Sequence, residues 1–549
     1  MLTRRQFIGS ALMGAGSFLL LGCKPKGGDA LPEDGAYVTA ETAYGKVRGI
    51  RELGVNIFKG IPYAGSVSGA NRFGRPAPLT PWSGVRDALQ LGTPAMQLPT
   101  TVYGKDEPAP GEDCLFLNVW TPANDGAKRP VVFYNHGGGY ATGSGGSLAQ
   151  DGANLARHFD VVVVETNHRL NIFGFLYLGA IAGEEYATSG NNGILDIVEG
   201  LKWVKTNIAQ FGGDPDNVMI CGESGGGYKT SILYGMPAAA PYFNKASIES
   251  GPGLRVNSLE TAAMVAELTL KELGIAKNDW RKLFEVPAEQ LFTLQGQMNH
   301  FLQGKALKKG ERFGFAPVVD QVSILAHPFV PAAPALSKEK PVMVGWNADE
   351  YIFFLMTGGN LEPLKLGAKE DKRVVELLRP QYGAHAEEIV RTYRRCRPEA
   401  TASELYVAIT SIAMMGLGSI EIAEKKTRQG GAPAYLYNFC FEHGGKVPGT
   451  DYPMSTPHAM DITYKFDNAE AGGGLTGDRP ERMQAAHAFA SLWTSFARNG
   501  KPGTAELPEW PAYDLTQRSV MQIDAPCSVV ADPQRAEREM WTALGYIEG

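Results

Sequence analysis

The sequence predicts an α/β fold with a large, mostly parallel central sheet, and three observations carry that expectation. Short apolar, β-branched runs recur along the chain: VVFYNH from 131, VVVVETN from 161, VMICG from 218, ASIES from 246 and VMVGWN from 342. Each is apolar nearly throughout, as strands are when helices cover both faces of a sheet; a half-exposed strand would alternate. Longer stretches with helical spacing separate these runs, which is the pattern of crossover connections between parallel strands.

Taken in chain order, residues before 130 are short-patterned and turn-rich, as antiparallel edge strands would be. Asn192 to Phe211 (NGILDIVEGLKWVKTNIAQF) carries apolar residues at helical spacing and ends at the breaker Gly212-Gly213-Asp214-Pro215, so it reads as a crossover helix feeding the next strand. Residues 258–310 and 365–430, rich in Leu, Glu and Lys, read as helical cover that shapes a pocket. No fixed-period repeat is present.

The N-terminus is different in kind. Thr3-Arg4-Arg5-Gln6-Phe7-Ile8 precedes an apolar run to Leu21, shorter than the ~20 residues that span a bilayer. Consecutive arginines resemble a twin-arginine export signal, and Leu20-Leu21-Gly22-Cys23 resembles a bacterial lipoprotein box. Residues 1–22 are therefore expected to be an export signal, Cys23 the lipid attachment site and 23–35 a flexible tether, with 36–549 left as a single catalytic domain. That layout implies a membrane-anchored lipoprotein on the periplasmic side. An uncleaved anchor helix is the alternative.

Net charge is −6, with no basic stripe, which excludes a nucleic-acid surface. The six cysteines (23, 114, 221, 396, 440, 527) have no CxxC or zinc-type spacing, so no metal and no cofactor are expected.

The chemistry sits at Gly222-Glu223-Ser224-Gly225-Gly226, a G-x-S-x-G turn directly after the run VMICG. A serine presented on a sharp strand-to-helix turn needs glycine beside it, because the backbone leaves no room for side chains. Lys229-Thr230 gives a passing likeness to a phosphate-binding loop, but Tyr228 stands where that motif requires glycine. A serine nucleophile needs a base, an orienting acid and donors for an oxyanion. His136-Gly137-Gly138-Gly139-Tyr140 follows another strand, so the N–H groups of Gly138, Gly139 and Gly225 would make a three-donor oxyanion hole.

These segments, with GEDCLFLNVW (111–120), FGGDPDNVMICGESGGG (211–227), VGWNADE (344–350), NHRLNIFGFL (167–176), FAPVVD (315–320) and LWTSFARNGKP (492–502), resemble the type-B carboxylesterase/lipase family, which includes the cholinesterases. The matches run in family order through nearly the whole chain after the tether. The resemblance implies the α/β-hydrolase fold and a small-molecule ester substrate. It also assigns Glu350 as the acid and His458, opening HAMDITYKF, as the base, in the chain order Ser, Glu, His. Asp349 is the rival acid. His136, His168, His443 and His487 read as loop, structural or surface histidines. Arg72 with Glu112 and Arg169 with Asp196 look like the family's internal ion pairs. For Glu223 two roles stay open: stabilising the imidazolium formed during attack, or packing in the turn.

Six positions depart from the family pattern. Gly225 replaces the usual alanine, Met96 the cysteine that would bridge to Cys114, Ala459 and Asp461 the glycine and glutamate after His458 (a conservative pair), Tyr351 the glycine after the acid, and Gln321 the glycine after FAPVVD, the last two with a changed pocket floor expected. Residues 89–113 hold no Trp, and Tyr103 is their only aromatic, so the usual cation–π platform for choline is missing. The expectation is a serine carboxylic ester hydrolase working through an acyl-enzyme on short to medium acyl esters. A lipase with a lid after residue 90 is the second reading, and a non-catalytic binding protein the third.

Overall fold

The computed structural model describes residues 37–98, 107–301, 311 and 314–547. The expected export signal, Cys23, the tether and Tyr103 lie outside the described residues, as do residues 99–106 of the stretch after residue 90 where a lid was considered.

One sheet of 13 strands runs through the described chain. Its first edge is antiparallel through β1 (Tyr37–Thr42), β2 (Gly45–Glu52), β3 (Val55–Pro62) and, after the short β4 (Val85–Asp87) that pairs parallel to β2, β5 (Phe116–Thr121). The centre is parallel: β6 (Arg129–Asn135), β7 (Val162–Thr166), β8 (Gly213–Glu223), β9 (Lys245–Glu249), β10 (Val342–Asn347), β11 (Ala434–Phe439) and β12 (Ser519–Ile523). β13 (Ser528–Ala531) closes the far edge antiparallel to β12. The spatial order 1-2-3-5-7-6-8-9-10-11-12-13 gives the α/β-hydrolase architecture expected from the sequence, with antiparallel pairing confined to the margins. All five strand runs read from the sequence are strands. β11 and β12, which the sequence reading did not single out, complete the parallel set.

The nearly unbroken apolar character of the central strands has a direct structural cause. In β6, Val131 and Phe133 point into one core while Val132 and Tyr134 point into the other; in β8, Val218 and Ile220 divide from Met219 and Cys221 in the same way. Strand side chains alternate faces, so a strand with two cores must be apolar at every position. The helix α1 (Asn192–Asn207) covers the first face through Ile194, Ile197, Leu201 and Val204. Each of these buried side chains contributes about 1.5–3 kcal/mol of transfer free energy, well above the few tenths separating helix propensities, so packing decides this helix. α1 ends at Asn207 rather than Phe211, because Ile208–Phe211 tightens into a 3₁₀ turn before Gly212 takes a left-handed φ of 75°.

Three further helices frame the site. α2 (Gly225–Tyr234) leaves β8 directly after Ser224, α3 (Tyr351–Thr357) follows Glu350, and α4 (Asp461–Lys465) follows His458. α5 (Arg482–Asn499) covers the second face of the sheet through Phe489, Leu492, Trp493 and Phe496.

The expected ion pairs form. Arg169 clasps Asp196 with two bonds of 2.8 and 2.7 Å at a fully buried site, and Arg72 clasps Glu112 with two of 2.6 Å while also donating to the carbonyls of Leu283 and Val286. Cys114 is buried and unbridged, as the loss of its cysteine partner implies. Gln321 corrects one expectation: it is exposed, with φ 62°, so it lines no pocket floor and instead occupies a left-handed turn that glycine adopts without strain.

Candidate active site

Ser224 stands between the end of β8 and the start of α2 with φ 55° and ψ −119°, a backbone state that costs roughly 1–3 kcal/mol for a residue with a Cβ. The surroundings hold it there: its N–H donates to the Glu249 carbonyl at 2.9 Å and its carbonyl accepts from Tyr228 at 3.1 Å. The flanking glycines are compulsory for contact reasons. A Cβ on Gly226 would lie 1.9 Å from the Asn135 carbonyl oxygen, and one on Gly222 would lie 2.4 Å from the same atom.

The departure at Gly225 also finds its explanation. A methyl there would meet the Gly139 backbone, with its nitrogen at 2.4 Å and carbonyl oxygen at 2.3 Å. The glycine loop after β6 occupies the space an alanine side chain would need, so glycine at 225 lets two backbone segments close on each other. Gly138 and Gly139 take φ values of 81° and 63°, and the Gly138 carbonyl is tied down by the N–H groups of Ala141 and Thr142. The N–H groups of Gly138, Gly139 and Gly225 find no acceptor among the described residues, and they lie on the segments that meet beside Ser224. Beneath the loop, Lys229 donates to the His136 carbonyl at 3.0 Å, and burial brings its amine down to about 7.

The histidine predicted as base is buried next to two carboxylates. His458 Nδ1 lies 2.5 Å from Glu350 Oε2, while the other Glu350 oxygen accepts the Asn347 N–H at 2.8 Å. That grip fixes both the ring and the acid. Asp349 is elsewhere: its N–H donates to the Thr456 carbonyl, burial brings its carboxyl up to about 6, and it makes no contact with the imidazole. The opposite nitrogen, Nε2, faces Glu223 Oε1 at 3.2 Å. No hydrogen bond joins it to Ser224, whose partly exposed hydroxyl has no bonded partner among the described residues. Phe354 and Phe353 pack on the imidazole at ring separations of 4.9 and 5.6 Å and wall that side of the site. Tyr351, expected at the pocket floor, sits at the start of α3 against Tyr406 and Phe354.

Neither Glu223 oxygen forms an aligned hydrogen bond, although the side chain is fully buried. Burial therefore pushes its carboxyl up to about 8, against the pull of His458. Burial alone would lower the His458 imidazolium. The charges of Glu223 and Glu350, the Glu350 hydrogen bond and the charge of Asp461 outweigh it and hold the group at about 9. Of the two readings of Glu223, an unbonded buried carboxylate aimed at Nε2 favours the electrostatic one. A packed turn residue would have its oxygens satisfied.

The sequence reading missed one feature. Lys465 Nζ, on α4, donates to Glu249 Oε2 and to Asp461 Oδ2, each at 2.6 Å, with all three side chains fully buried. Asp461 also accepts from Asn347 Nδ2 at 3.1 Å, and Asn347 is the residue whose N–H holds Glu350. The i,i+4 spacing of Asp461 and Lys465 was a signal in the sequence, but nothing local pointed to Glu249, 216 positions away from Lys465.

The carboxylesterase family model matches residues 36–541. Para-nitrobenzyl esterase from Bacillus subtilis is 33% identical over 91% of this chain and 97% of its own length. Rabbit (Oryctolagus cuniculus) liver carboxylesterase 1 is 31% identical, with 89% of each chain covered. Among solved structures, a Geobacillus stearothermophilus carboxylesterase superposes with a TM-score of 0.78 at 37% identity, covering 92% of this chain and 99% of that one. A turn holding serine under strain, an imidazole gripped by a carboxylate and unpaired amides beside them are thus found in a chain that matches esterases over about nine-tenths of its length: it belongs to the carboxylesterase family and is a carboxylic ester hydrolase.

Proposed function

We propose that Ser224 is the nucleophile, His458 the general base and Glu350 the acid that orients it. The hydroxyl attacks the ester carbonyl while Nε2 takes its proton, and the N–H groups of Gly138, Gly139 and Gly225 receive the developing oxyanion. His458 returns the proton to the leaving alcohol. Water, activated by the same imidazole, then releases the acid from Ser224. Glu350 holds Nδ1–H so that Nε2 is the basic nitrogen, and Glu223 stabilises the imidazolium. The Oγ–Nε2 contact forms when substrate binds, since catalytic hydrogen bonds in empty sites are commonly long and tighten in the complex.

The observation that carries this reading is the 2.5 Å contact of His458 Nδ1 with Glu350, which turns Nε2 toward the Ser224 turn. The substrate class proposed is esters of short to medium acyl chains. A p-nitrophenyl ester series from acetate to palmitate checks it: kcat/KM should peak at or below about eight carbons and fall at least tenfold by sixteen. A rise in rate when long-chain substrate passes its solubility limit would favour the lipase reading instead.

We further propose that residues 36–549 act as one catalytic unit tethered to the periplasmic side of a membrane through lipid on Cys23. The twin arginines and the Leu-Leu-Gly-Cys box support it. Metabolic labelling with radioactive palmitate should mark the wild type and be lost in Cys23→Ser; label persisting in that variant would refute the anchor.

A further inference from the structure

The buried cluster behind the site contains more charge than the proposed reaction uses. Glu249 ends β9, where its carbonyl accepts the Ser224 N–H and its carboxylate accepts from Ser247 Oγ and Lys465 Nζ, both at 2.6 Å. Ser247 Oγ in turn accepts from the Trp493 indole at 3.1 Å. Through Asp461 and Asn347 the same cluster reaches Glu350, and the β8–β9 pairing sets Glu249 opposite Glu223 in register. The Ser224 N–H and the Glu350 grip are therefore both tied to one fully buried ion cluster, and Glu223 stands beside it in the strand register.

We propose that Lys465, Glu249 and Asp461 are positioning residues for ester hydrolysis: as a buried charge-balancing unit they set the pH range over which His458 is free to act as base. The inference rests on the base role given to His458 above.

The electrostatic reasoning is short. The groups facing the imidazole are Glu350 from the β10–α3 turn, Glu223 from the β8–α2 turn and Asp461 from α4, with Phe353 and Phe354 of α3 contributing no charge. Glu249 and Lys465 stand one step further back. The buried phenols of Tyr134 and Tyr437 and the thiol of Cys221 face the same carboxylates and are held protonated by burial. Three carboxyl groups thus face one histidine with a fourth, Glu249, behind them, and Lys465 is the one ammonium among the groups described there. Burial alone would discharge that amine, yet two carboxylates in contact keep it charged. In a medium of low polarizability one unit of charge is felt over several ångströms, so altering the balance by one unit must move the imidazole's titration.

The sign follows directly. A base works only when neutral, so kcat/KM climbs with pH through the His458 titration, and that acid limb is expected above the ordinary histidine value of 6.5. Glu249→Gln keeps the size and one of the two acceptor oxygens but removes one negative charge. The limb should then shift down by about one unit, giving roughly a tenfold gain in kcat/KM at pH values below the wild-type limb. Adding Lys465→Met to Glu249→Gln restores the net charge and should return the limb to within a few tenths of a unit of the wild-type position.

The experiment is the kcat/KM–pH profile of wild type, Glu249→Gln and the double variant on p-nitrophenyl acetate, with circular dichroism to confirm folding. A downward shift in the single variant that reverses in the double supports the proposal. A limb that stays in place in a folded Glu249→Gln protein, with activity lowered equally at every pH, means the cluster only supports structure and overturns it. If the single variant fails to fold, Asp461→Asn, which removes one negative charge from the same cluster, decides by the same criterion: a limb shifted down upholds charge balance, and a limb that stays in place in the folded variant overturns it. Failure of the base role itself looks different, since the wild type would then show no acid limb at all.

Discussion

Replacing Ser224 by alanine is expected to lower kcat by about 10⁴ to 10⁶ while leaving the fold and the substrate's binding nearly unchanged, as when the nucleophile is taken from a hydroxyl–imidazole–carboxylate set. The size of the effect follows from chemistry that nothing nearby can replace. No other hydroxyl or thiol is held on that turn, and Cys221, the nearest thiol along β8, is buried and packed into the second core. Alanine inherits the strained φ of 55° unaltered, so the elbow should persist. The residual rate would come from the amide donors of the glycine loop and from binding. A variant that keeps more than about 1% of wild-type kcat would remove Ser224 from the mechanism. Mass spectrometry of a slowly deacylating ester gives an independent check: the acyl adduct should appear on wild type and be absent from the variant.

The second large effect separates two adjacent acids. Glu350→Gln is expected to reduce kcat by roughly 10³ to 10⁴, because an amide at that position can leave Nδ1 unprotonated and Nε2 carrying the proton, the wrong tautomer for a base. Asp349→Asn should change kcat less than about tenfold, since its side chain does not touch the imidazole and its carboxyl is already held toward the neutral form by burial. The two variants differ by one position in the chain and should differ by two or more decades in rate. Asp349→Asn proving the more damaging would overturn the assignment.

What was legible in the sequence was legible for local reasons. The G-x-S-x-G turn announces itself because a sharp turn after a strand excludes Cβ atoms, and those exclusions recur in the structure as contacts of 1.9 and 2.4 Å at Gly226 and Gly222. The five apolar runs were readable as doubly covered strands because both faces of β6 and β8 meet a core. β11 escaped attention although all six of its residues are buried: AYLYNF mixes tyrosines and an asparagine into a short run, and only its neighbours β10 and β12 make those side chains interior.

The sequence by itself, through residue type and spacing within one turn or strand, pointed to the fold class, the serine and its glycines, and through likeness to relatives to Glu350, ahead of its rival Asp349, and to His458. Only the tertiary structure brought Glu350 against the imidazole, set Glu223 at Nε2, showed that Gly225 makes room for Gly139, and joined Lys465 to Glu249 across the site. Each of those contacts joins segments far apart along the chain. Their geometry is set by how strands pair and helices pack, so the free energy that fixes it belongs to the assembled core and leaves no signature in any short stretch of residues.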